Sequence, residues 1–129
     1  MDVDLDLGIP RGVLESLPDD DGAAEQDIRR AVAGYRQALE DGFADAADES
    51  EAAQVAVDFL EYAEERAEIY DEFVPELRAW GQSPIYAIAW RDLYIELAAQ
   101  VYEVDWLAER IDRERNYRLV DDGIRFGKD

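Results

Sequence analysis

The chain of 129 residues carries 13 basic and 33 acidic side chains, a net charge of −20, with no cysteine and no histidine. That inventory excludes disulfide frameworks, thiolate nucleophiles, zinc ribbons, imidazole metal ligands and Ser-His-Asp relays. What remains is carboxylate or phenol chemistry, or function without chemistry, in one domain long enough to bury roughly two-thirds of its unfolded surface. With 48% hydrophobic and 11% aromatic residues, the chain is expected to fold, whereas a disordered acidic chain would be poor in aromatics.

Residues 2–7 alternate, Asp2, Asp4 and Asp6 against Val3, Leu5 and Leu7, which predicts an extended arm or edge strand with one apolar face. The opening residues 1–8 lack the positive charge and apolar run of a signal peptide. Gly8, Pro10, Gly12 and Pro18 then leave room for one short turn of helix carrying Val13, Leu14 and Leu17. Ile28, Val32, Tyr35 and Leu39 share one face of a helix expected over about 21–41, opened by the Asp19-Asp20-Asp21 cluster and ended by Gly42.

A second helix is expected from Ser50, with Val55, Phe59, Tyr62, Arg66, Ile69 and Phe73 in helical register. Pro75 predicts a stop or kink, followed by a separate short piece over 76–80 that ends at Gly81. Ser83-Pro84 reads as the start of a third helix running unbroken to Arg115, about 30 residues or 45 Å. It is apolar on most of its circumference between 85 and 108, but Arg91, Asp92, Glu96, Glu103 and Asp105 are too many charges for a bilayer span. Finally, Tyr117-Arg118-Leu119-Val120 and Ile124-Arg125-Phe126 flank Asp121-Asp122-Gly123, a hairpin signal. The expected organisation is an arm and turn over 1–18, a helical bundle over 19–115 and a C-terminal hairpin over 116–129.

Within the third helix, Tyr86, Trp90, Tyr94, Tyr102 and Trp106 fall at steps of four, with Ala98 filling the gap. Such a series winds by about 200° around the helix, so it serves two surfaces, a core and a partner interface. Charge is divided just as unevenly. Residues 110–129 hold six basic and five acidic groups, leaving −21 on the first 109. The arm and the nearly neutral tail are therefore candidates to pair, within one chain or between neighbours. The expected interface comprises Val3, Leu5 and Leu7 of the arm, the five aromatics above, and Tyr117, Arg118, Leu119 and Arg125 of the tail.

Paired carboxylates on helices hold Mg²⁺ in all-helical nucleotide pyrophosphohydrolases, and Glu61, Glu64, Glu68, Asp71, Asp92 and Glu96 are the groups that would have to converge here. In a chain this acidic, acid-x-x-acid pairs arise by chance, and their charged neighbours put most on the solvated face. No Gly-rich phosphate loop, nucleophile elbow or Walker sequence is present. No catalytic residue, cofactor or metal is expected. Nucleic-acid contact would be confined to the C-terminal arginines, because the body's charge opposes it.

Lys128 is the only lysine. The acidity, the arginine-dominated cations, the many short Ala and Asp residues and the lack of cysteine together resemble proteins of salt-in halophilic archaea, or of viruses that infect them. In outline, a helical body with arms at both ends resembles the small helical head-tail connector (adaptor) proteins of tailed viruses, whose terminal arms clasp their neighbours. The resemblance is of layout alone and transfers no residue. The expectation is an all-α bundle of three long helices and short ones, with extended or β-forming arms at both ends. Its expected role is that of a non-enzymatic assembly subunit forming a homo-oligomer with other structural proteins, in a high-salt cytoplasm or a virion. A helical protein-binding or regulatory module and a Mg²⁺-dependent hydrolase are the alternatives.

Overall fold

The rows of apolar residues spaced by three and four do build helices, and a computed structural model describes them over residues 1–18 and 22–121, with side chains through Arg115. Five helices follow in order: α1 (Arg11–Glu15), α2 (Gly22–Asp45), α3 (Glu49–Ala79), α4 (Ile85–Val101) and α5 (Asp105–Asp121). Among the described residues there is no strand, so the fold is all-α.

α2 buries the row read from the sequence, Ile28, Val32 and Leu39, then continues through Gly42 to bury Phe43. Gly42 is therefore not the terminator. A Cβ there would stand 2.7 Å from Val55 Cγ1 of α3, so the missing side chain lets the two helices approach. Gly42→Ala is expected to cost about 1 kcal/mol net, because overpacking strain of about 1–3 kcal/mol exceeds the helix-propensity gain of about 1 kcal/mol. Urea melts should show the loss, and adding Val55→Ala should cancel the overpacking part of it.

The start of α3 is capped twice. The Asp48 carboxylate accepts from Glu51 N at 2.9 Å, and the Glu51 carboxylate accepts from Ala47 N at 3.0 Å. Of the stop or kink expected at Pro75, the stop is not found: α3 passes through it. Its true end is at Gly81, whose φ of 75° is left-handed. There Gly81 N donates to Arg78 O and Gln82 N to Leu77 O, the paired bonds of a Schellman motif.

The unbroken helix expected to Arg115 is instead α4 and α5, separated by a turn at 102–104. Tyr102 N and Glu103 N donate to the carbonyls of Ala99 and Gln100, tightening the chain to i→i+3 bonds. The physical reason is polarity. The buried row Leu93, Leu97, Val101 would continue at steps of four into Asp105 and Glu109, which cannot be buried unpaired. The turn re-aims the chain so that Leu107 and Ile111 are buried while both carboxylates stay exposed.

α3 is the central element, with α4 and α5 packed along it and α2 against its first half. The core joins Leu7, Val13 and Leu17 to Ile28, Val57, Leu60, Leu93, Leu97, Leu107 and Ile111. Small residues at Ala52, Ala53, Ala56 and Ala63, all fully buried, let the neighbours sit close on α3. α5 is tied to α3 by the Arg115 guanidinium, which donates to both Glu64 carboxylate oxygens and to the Tyr102 hydroxyl.

The N-terminal residues form no strand; they are fastened to their own chain. The Met1 ammonium donates to the carbonyls of Phe43, Ala44 and Ala46 at the negative end of α2. Arg36 pairs with Asp6 and donates to Leu7 O. The Gln100 amide exchanges two bonds of 2.8 Å with the backbone of Gly8. The expected strand over 117–120 lies within α5, and residues 122–129, with the hairpin turn and Arg125, lie outside the described residues.

Candidate functional site

Two aromatic features stand out, one internal and one on the surface. The first brings together Tyr35 of α2, Phe59, Tyr62 and Tyr70 of α3, and Trp90 and Tyr94 of α4, with Tyr94 buried and Tyr62 39% exposed at its outer edge. Tyr94 lies at the centre, with ring centroids 5.9 Å from Tyr35 and 6.1 Å from Tyr62, Tyr70 and Trp90. The phenols are also linked: Tyr35 and Tyr94 share a hydrogen bond of 2.6 Å, Tyr35 and Tyr62 one of 3.2 Å. The Arg66 guanidinium covers the outer Tyr62 ring, 5.3 Å from its centroid.

This chain of hydroxyls separates their acidities. Burial, then its bonds to the other two phenols, raises Tyr35 far above the ordinary tyrosine value. Burial likewise raises Tyr94. Tyr62, at the solvent end, is lowered by the hydrogen bond Tyr35 offers to its phenolate, with Arg66 adding to the effect. In an absorbance titration at 295 nm, Tyr62 is expected to ionise before an exposed reference tyrosine. Tyr62→Phe should delete that first step, and an unchanged curve would show the linkage absent.

On the surface, the turn end of the α3–α4 hairpin carries Phe73, Trp80 and Tyr86, which are 44%, 69% and 41% exposed. The shared core takes its α3 members from no further than Leu60 and its α4 members from Ala89 onward. Beyond Ala63, α3 buries only Val74. The hairpin therefore ends in a pair of helices that cannot cover their own aromatics.

The expected stripe is thus divided by the fold. Tyr94 is buried and Trp90 half-buried on Tyr70, while Trp106 is half-buried against the core. Tyr86 and Tyr102 face outward. Val3 and Leu5 pack partly on the core and Leu7 is within it. Tyr117, Arg118 and Leu119 belong to α5 by backbone alone. Phe73 and Trp80 were not candidates in the sequence, although a tryptophan immediately before a helix-ending glycine marked a position where the partner helix stops.

Of the carboxylates a hydrolase would need, Asp92 and Glu96 line one surface pocket together with Arg11. Glu64 is held by Arg115, while Asp71 and Asp92 both receive Arg91, at 2.9 and 3.1 Å. Among the described residues, no group of three acidic side chains is placed to hold a metal ion. No helix among them is long and apolar enough to cross a membrane.

The molecule is therefore an all-α, arginine-tied acidic bundle with an aromatic hairpin tip. The chain belongs to the family of unknown function DUF7971, which matches it over residues 1–128. No curated protein and no solved structure shows a significant match.

Proposed function

We propose that the protein is a non-enzymatic assembly subunit that associates with copies of itself through the tip of the α3–α4 hairpin, in a high-salt cytoplasm or a virion. The observation that carries this reading is the exposure of Phe73, Trp80 and Tyr86 together at one end of the hairpin. Aromatics of this kind anchor interfaces, where a few central rings supply most of the affinity. At low ionic strength two bodies of −20 repel; in molar salt, with a Debye length of about 3 Å, apolar contact between them is no longer opposed. The near absence of lysine and the large acidic excess support a halophilic archaeal or viral origin. A connector role is the narrower form of the proposal. It now leans on the hairpin tip, because the N-terminal arm is engaged within its own chain.

Light scattering behind a sizing column in molar potassium chloride tests the reading. The intact chain should give a defined oligomer, and Phe73→Ala with Trp80→Ala should give a monomer of unchanged helicity. A native monomer at high concentration would overturn self-association. The same exposed rings would then favour the alternative, a helical module that binds a different protein.

A further inference from the structure

We infer that the groove between α2 and α3 is the docking site of the chain's own C-terminal segment, residues 123–128. The groove has a volume of about 340 Å³ and is lined by Tyr35, Ala38, Leu39, Val55, Phe59 and Tyr62, with Asp58 its single charged group. Its surroundings are predominantly acidic. Residues 37–45 of α2 and 49–65 of α3 carry Glu40, Asp41, Asp45, Glu49, Glu51, Asp58, Glu61, Glu64 and Glu65 and no basic residue, although Glu49 and Glu64 are paired with Arg110 and Arg115, and Arg66 lies over the Tyr62 ring at one end. An apolar trough inside an anionic rim selects an occupant that is apolar on one side and cationic on the other.

The segment Gly-Ile-Arg-Phe-Gly-Lys at 123–128 has that character. It holds Arg125 and Lys128, no acid, and two large apolar side chains, in a chain whose net charge is −20. In an extended stretch Ile124 and Phe126 fall on one side and Arg125 on the other, since side chains alternate. Ile124 and Phe126 would fill the floor while Arg125 and Lys128 meet the rim carboxylates. Gly123 and Gly127, having no side chains, bring no bulk to the rim. The eight residues after Asp121 span up to about 28 Å. This mode, an extended segment seated through alternate side chains, needs no change in the helices.

The cysteine-free chain allows a direct test on the full-length protein in molar potassium chloride. Ala38→Cys with Gly127→Cys places one thiol in the groove and one beside Phe126. Ala79→Cys with Gly127→Cys places the first at the far end of α3 as a control. Under mild oxidation the groove pair is expected to cross-link at least tenfold faster than the control, and adding Phe126→Asp should bring it down to the control rate. A cross-linked monomer means docking within one chain, a cross-linked dimer docking between copies, and both support the assignment. Equal rates for the groove and control pairs, or a rate indifferent to Phe126→Asp, would overturn it. The comparison does not involve Phe73 or Trp80, so its failure leaves the hairpin-tip reading standing, and the reverse.

Discussion

Transfer from molar potassium chloride to dilute buffer is expected to unfold this chain or bring it to the edge of unfolding. A net charge of −20 confined to a folded body, compared with the same charge spread along an unfolded coil, gains repulsion on the order of 10 kcal/mol when salt falls from about 1 M to 0.01 M. That is comparable to the whole stability of a small domain, about 5–15 kcal/mol. A term of opposite sign exists. Salt also weakens the arginine pairs that join elements, Arg36 to Asp6, Arg91 to Asp71, Arg110 to Glu49 and Arg115 to Glu64. Such partly exposed pairs contribute about 0–1 kcal/mol each, so four of them cannot offset the net repulsion. Circular dichroism melts across the salt series should show Tm rising steadily, by tens of degrees in total. A Tm that is flat or falls with salt would show that the ion pairs dominate and would remove the halophilic reading.

Much of the bundle was legible because each helix writes its core contacts at its own period. The α2 row from Ile28 to Leu39 and the start of α3 near Ser50 are local facts. The errors arose where a local signal competes with a partner far away in sequence. Gly42 looks like a terminator because helix-ending glycines are common, yet its role is set by Val55 across the helix contact. Pro75 lacks a donor, but the pull of Val74 into the interior and a strong terminus at Gly81 carry the helix past it. The turn at 102–104 contains neither Gly nor Pro. It is dictated by where Asp105 and Glu109 would have pointed, a question the period alone does not raise. Similarly, the alternation of residues 2–7 is real, but its apolar side is met by helices, and at its end the Leu7 carbonyl and the Gly8 backbone are met by the Arg36 and Gln100 side chains instead of a strand. For the candidate sites, the spacing of four identified the aromatic helix and could not divide it. That division needed to know that α2 reaches Tyr94 through Tyr35, while Phe73, Trp80 and Tyr86 near the hairpin turn stay exposed.

Tyr94→Ala is expected to lower stability by about 3–5 kcal/mol, the range for deleting a large buried ring. Tyr94 is only 3% exposed and touches Tyr35, Tyr62, Tyr70 and Trp90, drawn from three helices, so no single neighbour can relax into the space. Tyr94→Phe separates ring from hydroxyl. It removes the 2.6 Å bond but leaves Tyr35 its bond to Tyr62, and should cost about 1 kcal/mol. Urea melts in molar potassium chloride would read both; losses of similar size for the two variants would mean the hydroxyl, not the ring, holds the cluster. Alkaline pH probes the same site with a definite sign. Tyr35 and Tyr94 are raised in the folded state, so their contribution is intact below the ordinary tyrosine value of about 10 and is lost as pH climbs above it, since only the unfolded chain can then ionise them. Tyr62, lowered, works the other way, and its phenolate is favoured in the fold as pH approaches 10 from below. The native chain should therefore hold its stability until Tyr62 has titrated and decline only beyond about pH 10, whereas Tyr94→Phe, retaining one raised phenol of the two, should decline less steeply.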